Sequence, residues 1–254
     1  MALGLHLRVI AIADHDSTDG VAEAQESARD TSLEVVPAVE INVDYGRLEL
    51  HILGYYLDPT SAELQVALAQ LRAGRQDRAR QMVERLAHLG LPLSWERVAA
   101  IAGEGTAIGR PHVAQALLEC GYVGSIQEAF TSYIGHGGPA YVERFKLSPA
   151  EAISLVRRAR GVPVLAHPLT LMDVVPQLVR QGLAGIEVYY TGYTDEERAL
   201  LLAVATKYGL LVTGGSDFHG YEIAPNNILG GVRVPRACLT TLLQRHRELT
   251  PARA

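Results

Sequence analysis

Short apolar segments that end in clusters of His, Asp or Glu constrain the fold of this chain more than any other feature. Residues 7–13 (LRVIAIA) are rich in β-branched side chains and lead into Asp14-His15-Asp16. Two later apolar segments end in the same way, at His167 and at Asp217-Phe218-His219. Buried parallel strands read as apolar runs, and functional side chains collect at their carboxyl ends. We therefore expect an α/β fold in which polar groups from several strands meet.

The spacing of apolar residues predicts an alternation of strands and helices, interrupted by one helical region. The expected strands are residues 7–13, 33–41, 48–55, 162–166, 186–190 and 210–214. The expected helices beside them are residues 21–30, 149–160, 174–181 and 196–208, and the segment after residue 220 is expected to hold a loop, a short strand and a helix. This pattern predicts a TIM-like α/β barrel with at least one strand unaccounted for.

The region from Ser61 to Glu143 differs from the rest of the chain in its pattern of apolar and charged residues. Its leucines recur at helical spacing with charged residues between them, and glycines and a proline interrupt it. We expect several short helices here, inserted into the barrel. The predicted domains are thus a barrel domain of residues 1–60 and 144–254 and a helical insertion of residues 61–143.

Composition limits the classes of function. The formal net charge of −5 argues against a general nucleic-acid coat, and no apolar run reaches the roughly 20 residues of a membrane-spanning helix. Two cysteines cannot form a disulfide framework, so a reducing cytoplasm is the expected location. No protein partner and no membrane association are predicted.

The clustered histidines and acids indicate a metal site. Buried charged groups are costly unless they are paired or bind a metal, and several strand ends carry them at once. Imidazole mixed with carboxylate suits Zn²⁺, Mn²⁺ or Fe²⁺ better than Ca²⁺ or Mg²⁺. Four histidines and two acids exceed the needs of one ion, so two or three divalent ions are expected, with a carboxylate such as Glu40 as a bridge. The candidates are His15, Glu40, His51, His167, Asp217 and His219.

No protein nucleophile is predicted. The sequence contains neither the Ser-His-Asp order of a triad nor a Gly-x-Ser-x-Gly elbow. A metal-activated water is therefore the expected attacking group.

A group of arginines forms a second candidate site. Arg75 and Arg78 are three residues apart, so on a helix their guanidinium groups are neighbours, and arginine suits bidentate phosphate binding. Taken alone, this run favours a solvated helix face. Arg110, in Gly-Arg-Pro-His, is a further candidate, and His112 is either a phosphate contact or a structural residue at a helix start.

Six segments in fixed order make the chain similar to a known family. They are Ala13-Asp14-His15-Asp16, Glu40, His51-Ile52-Leu53-Gly54, Gly109-Arg110-Pro111-His112, Ala166-His167-Pro168 and Gly215-Ser216-Asp217-Phe218-His219-Gly220. Together they resemble the PHP (polymerase and histidinol phosphatase) family, most closely its bacterial 3′,5′-nucleoside bisphosphate phosphatases and 5′→3′ exoribonucleases.

The resemblance implies a distorted (β/α)7 barrel with a helical insertion and a trinuclear metal site. It assigns ligand roles to the six candidates named above and substrate-phosphate binding to Arg75, Arg78 and Arg110. Asp14 and His112 are expected to support these groups from outside. Manganese is the expected ion, with zinc or iron as alternatives.

The chain departs from the family pattern at its beginning. Family members start with a strand that carries a His-x-His pair and a nearby aspartate, whereas here His6 stands alone and precedes the first strand. The expectation is therefore a barrel that lacks its first strand and about three metal ligands. Such a barrel would leave a strand edge uncovered.

The expected function is a metal-dependent phosphoesterase. Its substrates would be the 3′-phosphate of 3′,5′-nucleoside bisphosphates, short 5′-phosphorylated RNA, or both. Two alternatives remain open: a monoesterase of the histidinol-phosphatase kind, and an impaired metal- or nucleotide-binding remnant.

Overall fold

A computed structural model of the chain describes residues 1–46, 48–103, 108–143, 146–221 and 224–250. The chain divides into two compact units: the first comprises Met1–Gln65 and Leu147–Ala254, and the second Val66–Lys146. These divisions lie within a few residues of the predicted domain boundaries at 60/61 and 143/144. None of the described helices combines the length and the apolar composition that a membrane crossing requires.

The first unit is a mixed α/β unit built on one six-stranded sheet. The strands follow each other in space in the order in which they occur in the chain. They are β1 (Val9–Ile12), β2 (Glu34–Tyr45), β3 (Leu48–Tyr55), β4 (Val162–Leu165), β5 (Gly185–Tyr190) and β6 (Leu211–Gly215). All six predicted strands are therefore present.

The direction of β3 departs from a regular alternation of parallel strands and helices. β3 runs antiparallel to both β2 and β4, whereas β1–β2, β4–β5 and β5–β6 are parallel pairs. The cause is the connection between β2 and β3, which spans only residues 46 and 47. A link this short closes a hairpin, and a parallel pair needs a much longer crossover.

Helices connect or follow the strands of this sheet. They are α1 (Asp19–Ala28), α6 (Pro149–Arg158), α7 (Val175–Arg180), α8 (Asp195–Tyr208) and α9 (Arg236–Leu249), with 3₁₀ turns at Ala2–Leu5 and Pro168–Val174. The start of α6 shows why helix begins there. The Ser148 hydroxyl accepts a hydrogen bond from the Glu151 amide, and the Glu151 carboxylate accepts one from the Ser148 amide. This reciprocal capping satisfies two amides that the helix itself leaves unbonded.

One predicted element of the first unit is wrong. A short strand was expected between residue 221 and the C-terminal helix, but residues 224–235 form turns and coil. Prolines at 225 and 235 and the glycine pair at 230–231 interrupt extended pairing there.

Burial falls from the centre of the sheet to its edges. All four residues of β4 are buried, as are eight of the nine residues 35–43 of β2, the exception being the half-buried Pro37. The two edge strands are different: β1 has no buried residue, and only Thr213 is buried in β6. The buried residues of the sheet are therefore concentrated in β2, β3, β4 and β5.

The second unit is helical. Its helices are α2 (Ala62–His88, whose first residues belong to the first unit), α3 (Trp95–Ala102), α4 (Arg110–Glu119) and α5 (Ile126–Ala129), followed by a π-helical turn at Phe130–Ile134. Its core contains Ala79, Met82 and Leu86 of α2 together with Val98, Val113, Leu117 and Ile134. The expectation of several short helices is wrong for α2, a single helix of 27 residues.

Candidate metal centre

Backbone pairing brings His15 alongside Glu40. The parallel contact between β1 and β2 continues past the end of β1 as a bridge between these two residues. The Asp16 amide donates to the Glu40 carbonyl at 3.0 Å, and the Glu40 amide donates to the Asp14 carbonyl at 3.1 Å. Because of this pairing, the first polar cluster of the sequence lies against the middle of the longest strand.

The Glu40 carboxylate lies among three imidazole rings. Its Oε1 atom is 2.6 Å from Nδ1 of His51 and 3.7 Å from Nε2 of His167. Its Oε2 atom is 3.7 Å from Nδ1 of His15. The Nδ1 atom of His51 and the Nε2 atom of His167 are themselves 3.0 Å apart. The two oxygens of one buried carboxylate thus face different histidines.

These contacts shift the ionisation of the cluster. Burial on its own would raise the pKa of Glu40, but hydrogen bonds from His167 and His51 lower that pKa well below its ordinary value. Burial on its own would lower the pKa of His167, and the adjacent Glu40 carboxylate raises it. The contact between Glu40 and His167 therefore favours the ionised form of both groups.

Asp217 and His219 join the same cluster from the end of β6. The His219 ring lies 5.6 Å from the His15 ring, centroid to centroid, and its Nδ1 atom is 3.4 Å from Oδ1 of Asp217. The negative charge of Asp217 also contributes to the raised pKa of His167. The structure thus brings all six residues predicted as ligands together in the first unit.

The arrangement fits divalent metal ions. His15, Glu40 and His51 each offer one donor atom within 4.8 Å of the others. Donor atoms that share a metal with bonds of 2.0–2.2 Å lie about 3 Å apart, and the distances between the donor atoms of Glu40, His51 and His167 are 2.6, 3.0 and 3.7 Å. Nitrogen and oxygen donors without thiolate suit zinc, manganese or iron.

Several residues that contact the predicted ligands were missed by the sequence analysis. The Asn42 side-chain amide is 2.7 Å from Nε2 of His51, and the Tyr190 hydroxyl donates to Oδ2 of Asp217 at 2.8 Å. Glu187 accepts a hydrogen bond from the His167 amide at 2.9 Å. Glu187 left one signal in the sequence, since it is the only charged residue within the apolar segment 186–190.

Asp14, predicted to support the site from outside, lies beside it. Partial burial and the neighbouring Asp19 raise the pKa of Asp14, while the charge of His219 opposes this rise. Its Oδ2 atom is only 3.0 Å from the position that a Cβ would occupy at Gly20, in the first turn of α1. A side chain at that glycine would push against the carboxylate.

The predicted phosphate-binding residues lie in the second unit. Gly109 precedes α4, and a Cβ placed there would be 3.7 Å from a terminal nitrogen of Arg75. The Arg110 guanidinium lies over the ring of Phe130 at 5.6 Å. The Gly109 amide donates to Nδ1 of His112 at 3.1 Å, which gives His112 the helix-capping role that the sequence left as one of two options.

His112 and Arg78 differ from the other two residues of this group. Burial and the charge of Arg75 lower the pKa of His112, so its ring is neutral at pH 7. Arg78 is buried, its Nε donates to the Val142 carbonyl at 2.7 Å, and its guanidinium lies over the Tyr141 ring. Arg78 therefore has a structural role within this unit in addition to any contact with a substrate.

Comparison with known proteins places the chain in a family. No family model matches it. The 5′-3′ exoribonuclease Rnm of Escherichia coli is 32% identical over 227 residues, covering 86% of this chain and 77% of that protein. The 3′,5′-nucleoside bisphosphate phosphatase of Chromobacterium violaceum is 31% identical over 218 residues, covering 83% of this chain and 76% of that protein.

A solved structure agrees with these relatives. A protein of Bifidobacterium adolescentis, described as a metal-dependent phosphoesterase, is 34% identical and superposes with a TM-score of 0.85, covering 96% of this chain and 88% of that one. These three proteins are more than 30% identical to this chain over most of each chain, and this chain also has the six clustered residues described above. The chain therefore belongs to the PHP family of phosphoesterases, in the group that contains these relatives.

Proposed function

We propose that this chain is a metal-dependent phosphoesterase that removes the 3′-phosphate of 3′,5′-nucleoside bisphosphates and releases mononucleotides from the 5′ end of short 5′-phosphorylated RNA. The observation that carries the proposal is the position of Glu40, whose two oxygens face His51 and His167 on one side and His15 on the other. The names of the E. coli and C. violaceum relatives support both substrates.

The metal-binding role falls on six side chains. We assign two or three divalent ions, with manganese preferred over zinc or iron, to His15, Glu40, His51, His167, Asp217 and His219. Ions of this kind supply a nucleophilic water at neutral pH and neutralise charge on a phosphoryl group. Glu40 contributes by remaining ionised, which its lowered pKa ensures across the physiological range. No side chain of the protein is proposed to attack the phosphorus.

Binding of a second phosphate is assigned to Arg75 and Arg110, with a contribution from Arg78. A bisphosphate and a 5′-phosphorylated RNA share this second anionic group, which a simple monoester lacks. Guanidinium groups recognise phosphate by paired hydrogen bonds, and the amino end of α4, next to Arg75, favours negative charge. This is the reason for preferring the two nucleotide substrates over a monoester such as histidinol phosphate.

We also propose an assignment of the fold and a cellular location. The six strands correspond to six strands of the seven-stranded barrel of the family, since they occur in sequential order and β1 and β6 form the two edges. We propose the cytoplasm as the location. Cys120 and Cys238 are both free thiols, which fits a reducing compartment.

A direct assay tests the function. The purified chain is loaded with Mn²⁺ and given adenosine 3′,5′-bisphosphate, a short 5′-phosphorylated RNA and the same RNA with a 5′-hydroxyl. We expect phosphate from the first, mononucleotides from the second and much slower cleavage of the third. Absence of product from both phosphorylated substrates would contradict the proposal, and faster release of phosphate from histidinol phosphate would favour the monoesterase alternative.

A further inference from the structure

Strand β5 carries none of the six candidate ligands, yet its side chains contact two of them. It pairs with β4 on one side and with β6 on the other. His167 follows β4, and Asp217 follows β6. The residues of β5 are therefore placed between these two candidate ligands.

Both of these ligands have a backbone conformation that side chains other than glycine rarely adopt. His167 has φ 32° and ψ 57°, and Asp217 has φ 51°. Left-handed conformations of this kind are unfavourable for residues with a Cβ and persist only where the surroundings hold them. Something in the neighbourhood must therefore stabilise each residue in this conformation.

Glu187 provides that restraint at His167. Its Oε2 atom accepts a hydrogen bond from the His167 amide at 2.9 Å. This bond fixes the peptide plane at the start of the left-handed turn, and the turn directs the imidazole towards His51 and Glu40. A carboxyl oxygen of a β5 residue thus acts on the direction of the His167 ring.

Tyr190 restrains the side chain of Asp217, whose backbone carbonyl accepts a hydrogen bond from the Asn227 side-chain amide at 2.8 Å. Its hydroxyl donates to Oδ2 of Asp217 at 2.8 Å, while the other carboxylate oxygen, Oδ1, faces His219. Thr191, the next residue, donates from its hydroxyl to the Ser216 carbonyl at 2.9 Å. The carboxylate and the backbone before it are therefore both held from the end of β5.

Packing alone does not explain a carboxyl group at position 187. Glu187 is only 5% exposed, and within the described part of the chain no lysine or arginine forms an ion pair with it. A carboxyl group in such a place is unfavourable unless a specific contact requires it. The hydrogen bond to the His167 amide is such a contact.

We propose that β5 is the positioning strand of this centre: Glu187 holds His167, and Tyr190 holds Asp217, in the orientation that binds metal. Neither residue is a ligand or a catalytic residue in this proposal. The inference rests on the proposed function, because it takes His167 and Asp217 as metal ligands. Outer residues that orient metal ligands commonly change metal affinity 10–100-fold when they are replaced.

Metal binding to four variants tests the inference without using activity. Co²⁺ affinity is measured by competition with a chelator, its visible spectrum reports ligand geometry, and circular dichroism checks the fold. The variants are Glu187→Met, Glu187→Gln, Tyr190→Phe and the control Tyr55→Phe. Tyr55 is a buried β3 residue near Glu187, and no hydrogen bond joins it to a candidate ligand in the described structure.

The expected results follow from the hydrogen bonds. Glu187→Met and Tyr190→Phe should each weaken Co²⁺ binding about 10-fold or more and change the visible spectrum. Glu187→Gln keeps an oxygen that accepts the His167 amide, so it should bind Co²⁺ much more tightly than Glu187→Met. Tyr55→Phe should match the wild type.

Each other outcome would overturn the inference. Unchanged affinity and spectrum in Glu187→Met and Tyr190→Phe would show that β5 does not position the ligands. A loss in Glu187→Gln equal to that in Glu187→Met would assign the effect to charge, and a loss in Tyr55→Phe would assign it to packing. If Glu187→Met is unfolded, Tyr190→Phe decides, since it removes one hydroxyl. A wild type that binds no Co²⁺ would refute the proposed function as well, which separates the two failures.

Discussion

The Nδ1 atom of His51 lies 2.6 Å from Oε1 of Glu40, and the two residues occupy neighbouring antiparallel strands. Both are on the hairpin formed by β2 and β3, and His51 pairs across the ladder with Asn42, two residues beyond Glu40. The side chains of residues two apart lie on the same face of a strand. The hairpin therefore sets this contact before any metal is present.

Replacing Glu40 tests its proposed role as a metal ligand. Glu40→Gln keeps the size of the side chain but removes its charge, so we expect kcat/KM to fall about 100-fold or more together with Mn²⁺ affinity. Steady-state kinetics and a Mn²⁺ titration measure both effects. Glu26→Gln, on the exposed side of α1, is the matched control and should leave both unchanged. Full activity of Glu40→Gln would exclude the assigned role.

The metal-free chain should show a stability maximum that depends on Glu40 and His167. A lowered pKa makes Glu40 stabilising above its ordinary value of 4.5, and this contribution is lost as the pH falls through the folded-state pKa. A raised pKa makes His167 stabilising below 6.5, and this contribution is lost as the pH rises through its folded-state pKa. Both contributions are complete between about pH 4.5 and 6.5.

Urea unfolding of the metal-free protein at pH 4, 5.5 and 8 measures this maximum. We expect Glu40→Gln to lower the free energy of unfolding on the order of 3 kcal/mol at pH 5.5 and by less at pH 8. A variant that loses the same amount at every pH would show that the pair does not control the pH dependence.

Glu187 should make the free energy of unfolding of the metal-free chain decrease as the pH rises. Burial raises its pKa from 4.5 to about 8, so its carboxyl group is protonated in the metal-free folded state at neutral pH. A raised pKa on an acid means that the folded state binds the extra proton, and its effect on stability becomes more unfavourable as the pH rises from 4.5 to 8. Glu187→Gln should therefore gain stability relative to the wild type as the pH increases over this range. A constant difference in urea unfolding from pH 5 to pH 8 would contradict the shift.

Arg75 and Arg78 should separate substrate binding from stability. Arg75→Ala should raise KM for the bisphosphate about 10-fold with little change in kcat, because a phosphate contact away from the reacting centre contributes to binding. Arg78→Ala should in addition lower thermal stability, because it removes a buried hydrogen bond to the Val142 carbonyl. Arg97→Ala is the control within the same unit, since Glu119 pairs with that guanidinium on the surface. Equal kinetics in Arg75→Ala and the control would remove Arg75 from the substrate site.

Gly214 should tolerate no side chain. A Cβ at this position would clash with the Tyr189 carbonyl oxygen, on the backbone of the neighbouring strand. Gly214→Ala should therefore lower the free energy of unfolding by about 1–3 kcal/mol and disturb the loop that carries Asp217. Gly4→Ala is the matched control, because nothing lies within 4 Å of a Cβ there. Chemical unfolding of both variants makes the comparison, and equal values would contradict the close approach.

Much of the candidate metal centre could be predicted because several of its residues lie next to apolar strand segments in the sequence. Three apolar runs are closely followed by a residue that the structure places in the cluster, namely His15, His167 and Asp217. The family resemblance then assigned their roles, and membership of that family is confirmed. The sequence could not predict which carboxylate oxygen faces which ring, since that depends on the pairing of three separate strands.

The errors have local physical causes. β3 is antiparallel because only residues 46 and 47 connect it to β2, and a two-residue connection is typical of a hairpin. The prediction of a barrel counted the strands and did not use the length of this connection. The length of α2 was missed because the glycines and the proline of this region suggested several short helices, whereas Leu68, Leu71 and Met82 belong to one continuous helix. The burial of Arg78 depends on a carbonyl 64 residues away, which no local pattern indicates.

The position of the candidate ligands in the sheet sets how quickly each part of the centre opens. Glu40 and His51 belong to the central hairpin, whose amides are expected to exchange with solvent only on global unfolding. Asp217 and His219 follow the edge strand β6, where local fraying exposes the backbone at a lower free energy. An ion held by the central pair should consequently leave the protein slowly, while one that depends on Asp217 and His219 should exchange on the faster timescale of the edge.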